Sequence, residues 1–242
     1  MSQSQKIVGV LGGMGPDATV DFMAKVIAMT EASCDQDHVR MLVDHNPHVP
    51  NRQEAILGDG EDPGPVLGEM AAALEARGAD FLVIPCNTAY VFEDAILEET
   101  RIPLISIITE SVAAVTDAVP AATSVGLLAT DGCLRAGIYQ DGIEAAGMAA
   151  VLPTATELDE IMVLVNAIKA GRQDHKTGVV MSKLAAALVS RGADAIIAGC
   201  TEIPLVLGDG TVRVPLIPST AALALKTVKL ATGEEPLPSR HQ

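Results

Sequence analysis

The 242-residue sequence predicts an α/β protein of two similar domains, each a parallel sheet flanked by helices, related by a pseudo-two-fold internal duplication with the ligand cleft between them. Three observations carry this prediction. Apolar strand-like runs alternate with Ala- and Leu-rich helical segments, and the strands are continuously apolar, as in parallel sheets covered on both faces. The second half repeats segments of the first in the same order. Each half also ends an apolar run in a cysteine followed by small polar residues, "PCNT" and "GCTE".

In chain order, "KIVGVLG" (6–12) is a first strand, and its Gly-rich exit opens a helix at Pro16, whose ring suits a first turn. "VRMLVDHN" (39–46) is a second strand running into the loop "PHVPNRQ". "GPVLGEMAAALEARG" (64–78) is a helix that Gly78 closes with a left-handed cap. "DFLVIPCN" (80–87) is a third strand, "VFEDAILEET" a short helix, "IPLISI" (102–107) a fourth strand, and "TESVAAVTDAV" a further helix.

The repeat aligns "KIVGVLGGMGP" with "TSVGLLATDGC", "ARGADFLVIPCNTA" with "SRGADAIIAGCTEI", and "RIPLISI" with "RVPLIPS". Gly9 therefore matches Gly126, Cys86 matches Cys200 and Pro103 matches Pro215, with the offset drifting only from 117 to 112 residues. Three segments in order at so steady an offset mark an internal duplication.

Composition narrows the function classes. Hydrophobic residues make up 49% and charged residues 19%, enough to fill a core. Aromatics are 2% with no Trp, so the core is built from Ala, Val, Leu and Ile, and there is no stacking platform for nucleic acid. The 16 basic residues against 31 acidic ones give a formal charge of −15, which repels phosphate backbones and anionic lipids and serves solubility. An anionic ligand would need its own local positive potential. Neither nucleic acid nor membrane is an expected partner. No apolar run approaches the roughly 20 residues that span a bilayer. The N-terminal "MSQSQKIVGVLGGMG" reads as a strand and turn rather than a signal peptide. Cys34, Cys86, Cys133 and Cys200 form no CxxC and no Cys/His cluster at zinc spacing, so the expectation is a reduced, cytoplasmic protein with thiols.

Ligands of open α/β sheets bind beyond the carboxyl ends of the strands. Cys86 and Cys200 occupy such ends at equivalent points, so a two-fold relation would set them facing across the cleft. A thiol with a pKa near 8.5 serves as base and acid near neutral pH. Two such groups remove a proton from one face of a carbon and return one to the other. That is racemisation or epimerisation, and it needs no metal or cofactor where the carbanion is stabilised. Asn87 and Thr88 follow the first cysteine, and Thr201 and Glu202 the second. A lone cysteine in an apolar strand is ordinarily a core residue; the duplication sets this pair apart. Cys34 reads as structural or incidental, and Cys133 either lines the cleft or packs as a core thiol.

The turn "LGGMGP" matches G-x-G-x-x-G/A at Gly13, Gly15 and Ala18, with Asp44 closing the second strand. Asp44 lies 29 residues past the last turn glycine rather than about 20, and Pro16 and Asp17 stand where a pyrophosphate would approach. The turn serves equally as a nest for a small carboxylate. Arg52 is the clearest candidate cation, its planar fork matching a carboxylate, against the reading of a solvated surface residue. Lys169 is either a second cation of the site or a favourable helix-end charge. His38, His45 and His48 fit no metal motif, and loop histidines explain them.

With "GVLGGMGP", the "NP…P-R" loop, "PCNTA", "GLLAT-G", "IKAG" and "GCTEIPLVL", the chain resembles, nearly end to end, the aspartate/glutamate racemase family in its cofactor-independent aspartate racemase branch. The resemblance implies domains at 1–108 with 214–242 and at 109–213, with one catalytic cysteine from each, Cys86 and Cys200. It implies that "RVPLIPS" completes the first sheet in exchange for "RIPLISI". Arg52 would hold the side-chain carboxylate of a small acidic amino acid, with Lys169 a further charge near the site. Met14, Asn46, Asn87, Thr88, Thr130, Thr201 and Glu202 would line the pocket. A homodimer is the family's habit. Two departures bear on substrate choice: Tyr90 stands where the family usually has His, and Cys133 where it usually has Thr. Two other readings stay open. One is a different Cys-dependent activity of the superfamily (maleate isomerase, hydantoin racemase or decarboxylase). The other is a non-catalytic protein binding a small anion or dinucleotide.

Overall fold

The computed structural model describes residues 5–208 and 210–239. In its first part the chain forms β1 (Val8–Gly12), α1 (Pro16–Met29), β2 (Met41–His45), α2 (Arg52–Leu57), α3 (Gly64–Ala76), β3 (Phe81–Val83), α4 (Glu93–Glu99) and β4 (Leu104–Ile105). It continues through α5 (Ile107–Ala118), β5 (Ser124–Leu128), α6 (Asp131–Ala136), α7 (Ile138–Ala145) and β6 (Ala149–Val151). It ends with α8 (Ala155–Lys169), α9 (His175–Ser190), β7 (Ala195–Ala198), β8 (Leu216–Pro218) and α10 (Ser219–Thr232). All strand pairings are parallel, in two four-stranded sheets ordered β2-β1-β3-β4 and β6-β5-β7-β8. The identical order is the duplication made visible.

The repeated residues also do repeated work. Gly9 on β1 and Gly126 on β5 lie where a helix presses on the central strand. A Cβ on Gly9 would meet Leu82, Ala79 and Leu74 within 3.2 Å, and one on Gly126 would meet their counterparts Ile196, Leu188 and Ala193 within 3.1 Å. The caps repeat too. Gly78 and Gly192 take φ of 95° and 101°. The following amides of Ala79 and Ala193 reach back to the Leu74 and Leu188 carbonyls at 3.1 and 3.3 Å, the bond that closes a helix with a left-handed residue. Asp80 then accepts from the Ile7 amide at 2.7 Å, and Asp194 from the Thr123 and Ser124 amides at 2.8 and 3.1 Å, fixing the entry of each central strand.

Two compact units result: Met1–Ile107 with Thr220–Gln242, and Ile108–Ser219. The expected exchange of strands does not occur. Leu82 and Val83 of β3 pair with Leu104 and Ile105 of β4, and "RVPLIPS" stays with its own half, Ile196 to Ala198 pairing with Leu216 to Pro218. Each last strand pairs with its own half's third strand, and what crosses over is the helix that follows. Apart from its first residue, α5 belongs to the second unit, where Tyr139 donates to Ser111 Oγ at 3.2 Å. Beyond its first residue, α10 belongs to the first unit, where the Lys6 amide donates to the Ala231 carbonyl at 2.8 Å.

Each unit builds its core mainly from aliphatic residues, but Phe22 and Phe81 in the first and Tyr139 in the second are also fully buried, so the few aromatics join the core that composition assigned to aliphatic residues. In the second, Leu128, Ile161, Val165, Ile168, Met181 and Leu188 are buried in one cluster that also includes Cys200. Among the described residues no helix is long and apolar enough to cross a membrane.

Candidate active site

In the first unit, Met14, Asn46 and Cys86 follow the carboxyl ends of β1, β2 and β3. The Gly-rich turn is tightly closed. Gly13 has φ +96°, and a Cβ there would stand 2.4 Å from the Asn46 carbonyl carbon. Its amide donates to Thr19 Oγ1 at 2.8 Å, so this donor of the dinucleotide pattern is satisfied by the turn's own helix. Asn46 accepts from the His48 amide at 3.0 Å, and its Nδ2 points at the Met70 sulfur at 3.8 Å.

The segment expected as the loop "PHVPNRQ" enters α2 at Arg52, because Asn51 supplies the cap. Its Oδ1 accepts from the Gln53 amide at 3.0 Å, and its Nδ2 donates to Glu54 at 2.7 Å. Arg52 is half-buried. Its Nη1 donates to the carbonyls of Val49 and Pro50 at 2.8 and 2.7 Å, while its buried Nε has no hydrogen-bond partner. The backbone thus holds the guanidinium in place with donor capacity left over. Gln53, which sequence reasoning missed, donates to Thr88 Oγ1 at 3.2 Å and ties α2 to the cysteine turn.

Cys86 is 8% exposed and opens a 3-10 turn, Asn87–Phe92, in which Asn87, Thr88 and Tyr90 are all buried. Tyr90, the departure from the family's usual His, turns its hydroxyl to the backbone. The hydroxyl donates to the Ile105 carbonyl at 2.6 Å and accepts from the Ile84 amide at 3.3 Å, beneath the turn. Burial pushes the phenol's pKa above its ordinary value.

In the second unit, Thr130 follows β5 and precedes α6, and Cys200 follows β7. Cys200 is 5% exposed, and its thiol donates to Glu202 Oε2 at 3.0 Å. Thr201 Oγ1 donates to the same oxygen at 3.3 Å. Lys169, the last residue of α8, stands 4.0 Å from Glu202 Oε1. Burial, reinforced by the Glu202 charge, raises the Cys200 thiol well above its ordinary pKa, and Lys169 opposes that rise. Cys133 is wholly buried on α6, the core alternative of its two readings.

Five predicted residues therefore follow strand ends or line the cysteine turn in the first unit beside Arg52. Four of the five in the second unit (Lys169, Cys200, Thr201 and Glu202) form one connected group. The two groups differ chemically: where the second copy has Glu202 after its cysteine, the first has Thr88. Among the described residues no group of three or more His, Cys, Asp or Glu is placed to hold a metal ion.

The Asp/Glu/Hydantoin racemase family model matches residues 11–227. The chain is 30% identical over 226 residues to the broad specificity amino-acid racemase RacX of Bacillus subtilis, covering 92% of this chain and 96% of the relative. It is 32% identical over 191 residues to a glutamate racemase of Deinococcus radiodurans, covering 76% of this chain and 61% of that protein. Its fold superposes on Picrophilus torridus aspartate racemase with a TM-score of 0.81 at 29% identity, covering 96% of each chain. The duplicated parallel sheets, the paired strand-end cysteines and these likenesses agree: the chain belongs to the Asp/Glu/hydantoin racemase family and is an amino-acid racemase, an isomerase.

Proposed function

We propose that the protein interconverts the enantiomers of an acidic amino acid, aspartate or glutamate, without a cofactor. Cys86 and Cys200 act as the two acid/bases at Cα. The observation that carries the proposal is the equivalence of the two cysteines: each is buried and each follows the third strand of its half, with a 3-10 turn capped by Cys86 in the first and by Glu202, two residues past Cys200, in the second. Racemisation requires a base on one face of Cα and an acid on the other, and one thiol from each half meets that need.

Arg52 binds the side-chain carboxylate. Its anchored fork and spare Nε–H supply the local positive potential that a −15 chain otherwise lacks. Lys169 adds a second positive charge near Cys200. Met14, Asn46, Asn87, Thr88, Thr130, Thr201 and Glu202 shape the pocket. The carbanion is stabilised by hydrogen-bond donors among them, because delocalised charge at Cα needs a pre-set partner where no cofactor provides one.

A broader substrate range is the second reading, favoured by the 30% identity to a broad specificity racemase over 92% of the chain. Chiral chromatography after incubation with L-aspartate, L-glutamate and a set of neutral L-amino acids decides between them. Conversion confined to the acidic pair supports the first reading, and conversion of neutral amino acids at comparable kcat/KM supports the second. We place the protein in the cytoplasm as a homodimer. The half-exposed outer strand β2 supports the dimer, which light scattering on the purified chain tests.

A further inference from the structure

We infer that Tyr90 is a positioning residue that wedges β3 apart from β4 and thereby sets the place of Cys86. The inference rests on the proposed role of Cys86.

In a parallel pair, hydrogen bonds recur evenly at every second residue. The β3–β4 ladder starts normally, with the Leu82 amide donating to the Pro103 carbonyl at 2.8 Å. The next rung in that series would run from the Ile84 amide to the Ile105 carbonyl. Tyr90 stands in that rung: its hydroxyl accepts from Ile84 at 3.3 Å and donates to Ile105 at 2.6 Å. The strands are bridged rather than joined, and pairing ends at Val83 and Ile105.

The second half supplies an internal control. There the Ile196 amide donates to the Pro215 carbonyl at 2.9 Å, the same first rung. Pairing then continues one residue further, to Ala198 and Pro218. The residue aligned with Tyr90 is Pro204, which has no hydroxyl to insert. The two copies thus differ in pairing over a stretch where they also differ in sequence, with Ile84, Pro85 and Tyr90 standing against Ala198, Gly199 and Pro204.

Only Pro85 separates the bridged Ile84 from Cys86, and its ring fixes one backbone angle, so a shift at Ile84 passes to the thiol with little slack. Tyr90 itself is 3% exposed, Ile84 is fully buried and Ile105 is 3% exposed, so water cannot replace the hydroxyl without a rearrangement. Loss of the hydroxyl either strands two buried backbone groups or lets them close a direct rung. Both outcomes move Cys86.

The test is Tyr90→Phe beside Cys86→Ala in the full chain. Deuterium uptake at Cα is read separately from the L- and D-enantiomers of aspartate and of glutamate, well below the melting temperature of each variant. Cys86→Ala identifies the enantiomer whose proton Cys86 takes. Tyr90→Phe is expected to slow exchange of that enantiomer by about tenfold to a hundredfold, the scale of a small misplacement of a reacting group, and to change the other by less than about twofold. Equal slowing of both enantiomers, or of neither, overturns the inference. If Cys86→Ala exchanges both enantiomers at the wild-type rate, the thiol reading itself fails, and the failure is seen in that variant rather than in Tyr90→Phe. Should Tyr90→Phe not fold, NMR of the unaltered protein reads the wedge directly. A slowly exchanging Tyr90 hydroxyl proton with a cross-peak to the Ile84 amide supports it, and absence of that signal overturns it.

Discussion

The Cys200 thiol donates to Glu202 Oε2 at 3.0 Å while Lys169 Nζ stands 4.0 Å from the other oxygen of that carboxylate. One buried acidic side chain therefore lies between a thiol and a half-exposed cation. The burial of the site and the Glu202 charge both favour the neutral thiol, while Lys169 and the Glu202 backbone amide favour the thiolate.

A pH dependence with opposite shifts follows. Cys200 takes a proton only as thiolate, and its pKa is raised, so the reaction direction that uses it as base gains rate as pH rises through the alkaline range. Removing the acidic neighbour in Glu202→Gln lowers the thiol pKa and moves that rise to lower pH. Removing the cation in Lys169→Met moves it to higher pH. Profiles of kcat/KM for each enantiomer, from about pH 6 to pH 10, read both displacements. Shifts in the same sense for the two variants would contradict this arrangement.

The Gly-rich turn sets a second expectation. Gly13→Ala introduces both a disfavoured φ of +96° and a Cβ 2.4 Å from the Asn46 backbone, whereas Gly147 has φ +78° with nothing within 4 Å. Gly147→Ala should cost about 1 kcal/mol from the backbone alone. Gly13→Ala should cost more than about 3 kcal/mol, since a left-handed φ is joined by forced movement of the β2 exit. Thermal melts of the two variants measure the difference, and equal losses would show that the Asn46 contact is not limiting.

Much of this was legible in the sequence because the protein states its fold twice. Gly9 and Gly126, Gly78 and Gly192, and Asp80 and Asp194 are constrained by the same helix-on-strand packing, so the repeat survives where packing demands it. The strand-end cysteines were legible for the same reason. The exchange between units was not. "RVPLIPS" carries the same apolar pattern as "RIPLISI", and a pattern that both halves share does not say which sheet it joins. Nor could Tyr90 be placed from the sequence. A residue four positions past a strand-end cysteine points either up to a ligand or down to the sheet, and its hydroxyl found two backbone groups below. Gln53 escaped notice because Asn51, two positions earlier, starts a short helix inside what reads as a proline-flanked loop.

Stability in acid should depend on the Glu157–Arg191 pair. Arg191 donates to both carboxylate oxygens at 2.9 and 2.8 Å, and Glu157 also accepts from the Thr154 amide at 2.7 Å at the start of α8. The guanidinium, first among these causes, holds the Glu157 carboxyl at about 2, below its ordinary 4.5. Because the folded value is the lower one, the stabilisation is present above about pH 4.5 and is lost as pH falls towards 2. The pair lies at the surface, with the Arg191 side chain 34% and that of Glu157 20% exposed, so screening holds the effect to about 1 kcal/mol or less. Glu157→Gln should lower the melting temperature by a few degrees at pH 7, and the gap should close below about pH 3. A gap that widens in acid would contradict the assignment.

The central claim, a proton removed by one thiol and returned by the other, is tested most directly by Cα deuterium incorporation. Wild type, Cys86→Ala and Cys200→Ala are compared with each enantiomer of aspartate and glutamate in deuterated water. The wild type should convert both enantiomers with deuterium in the product. Each single variant should lose racemisation by about a thousandfold or more, while retaining wash-out of only the enantiomer whose proton faces the remaining thiol. The two variants should retain opposite enantiomers. Racemisation at an undiminished rate in either variant would contradict the two-thiol account.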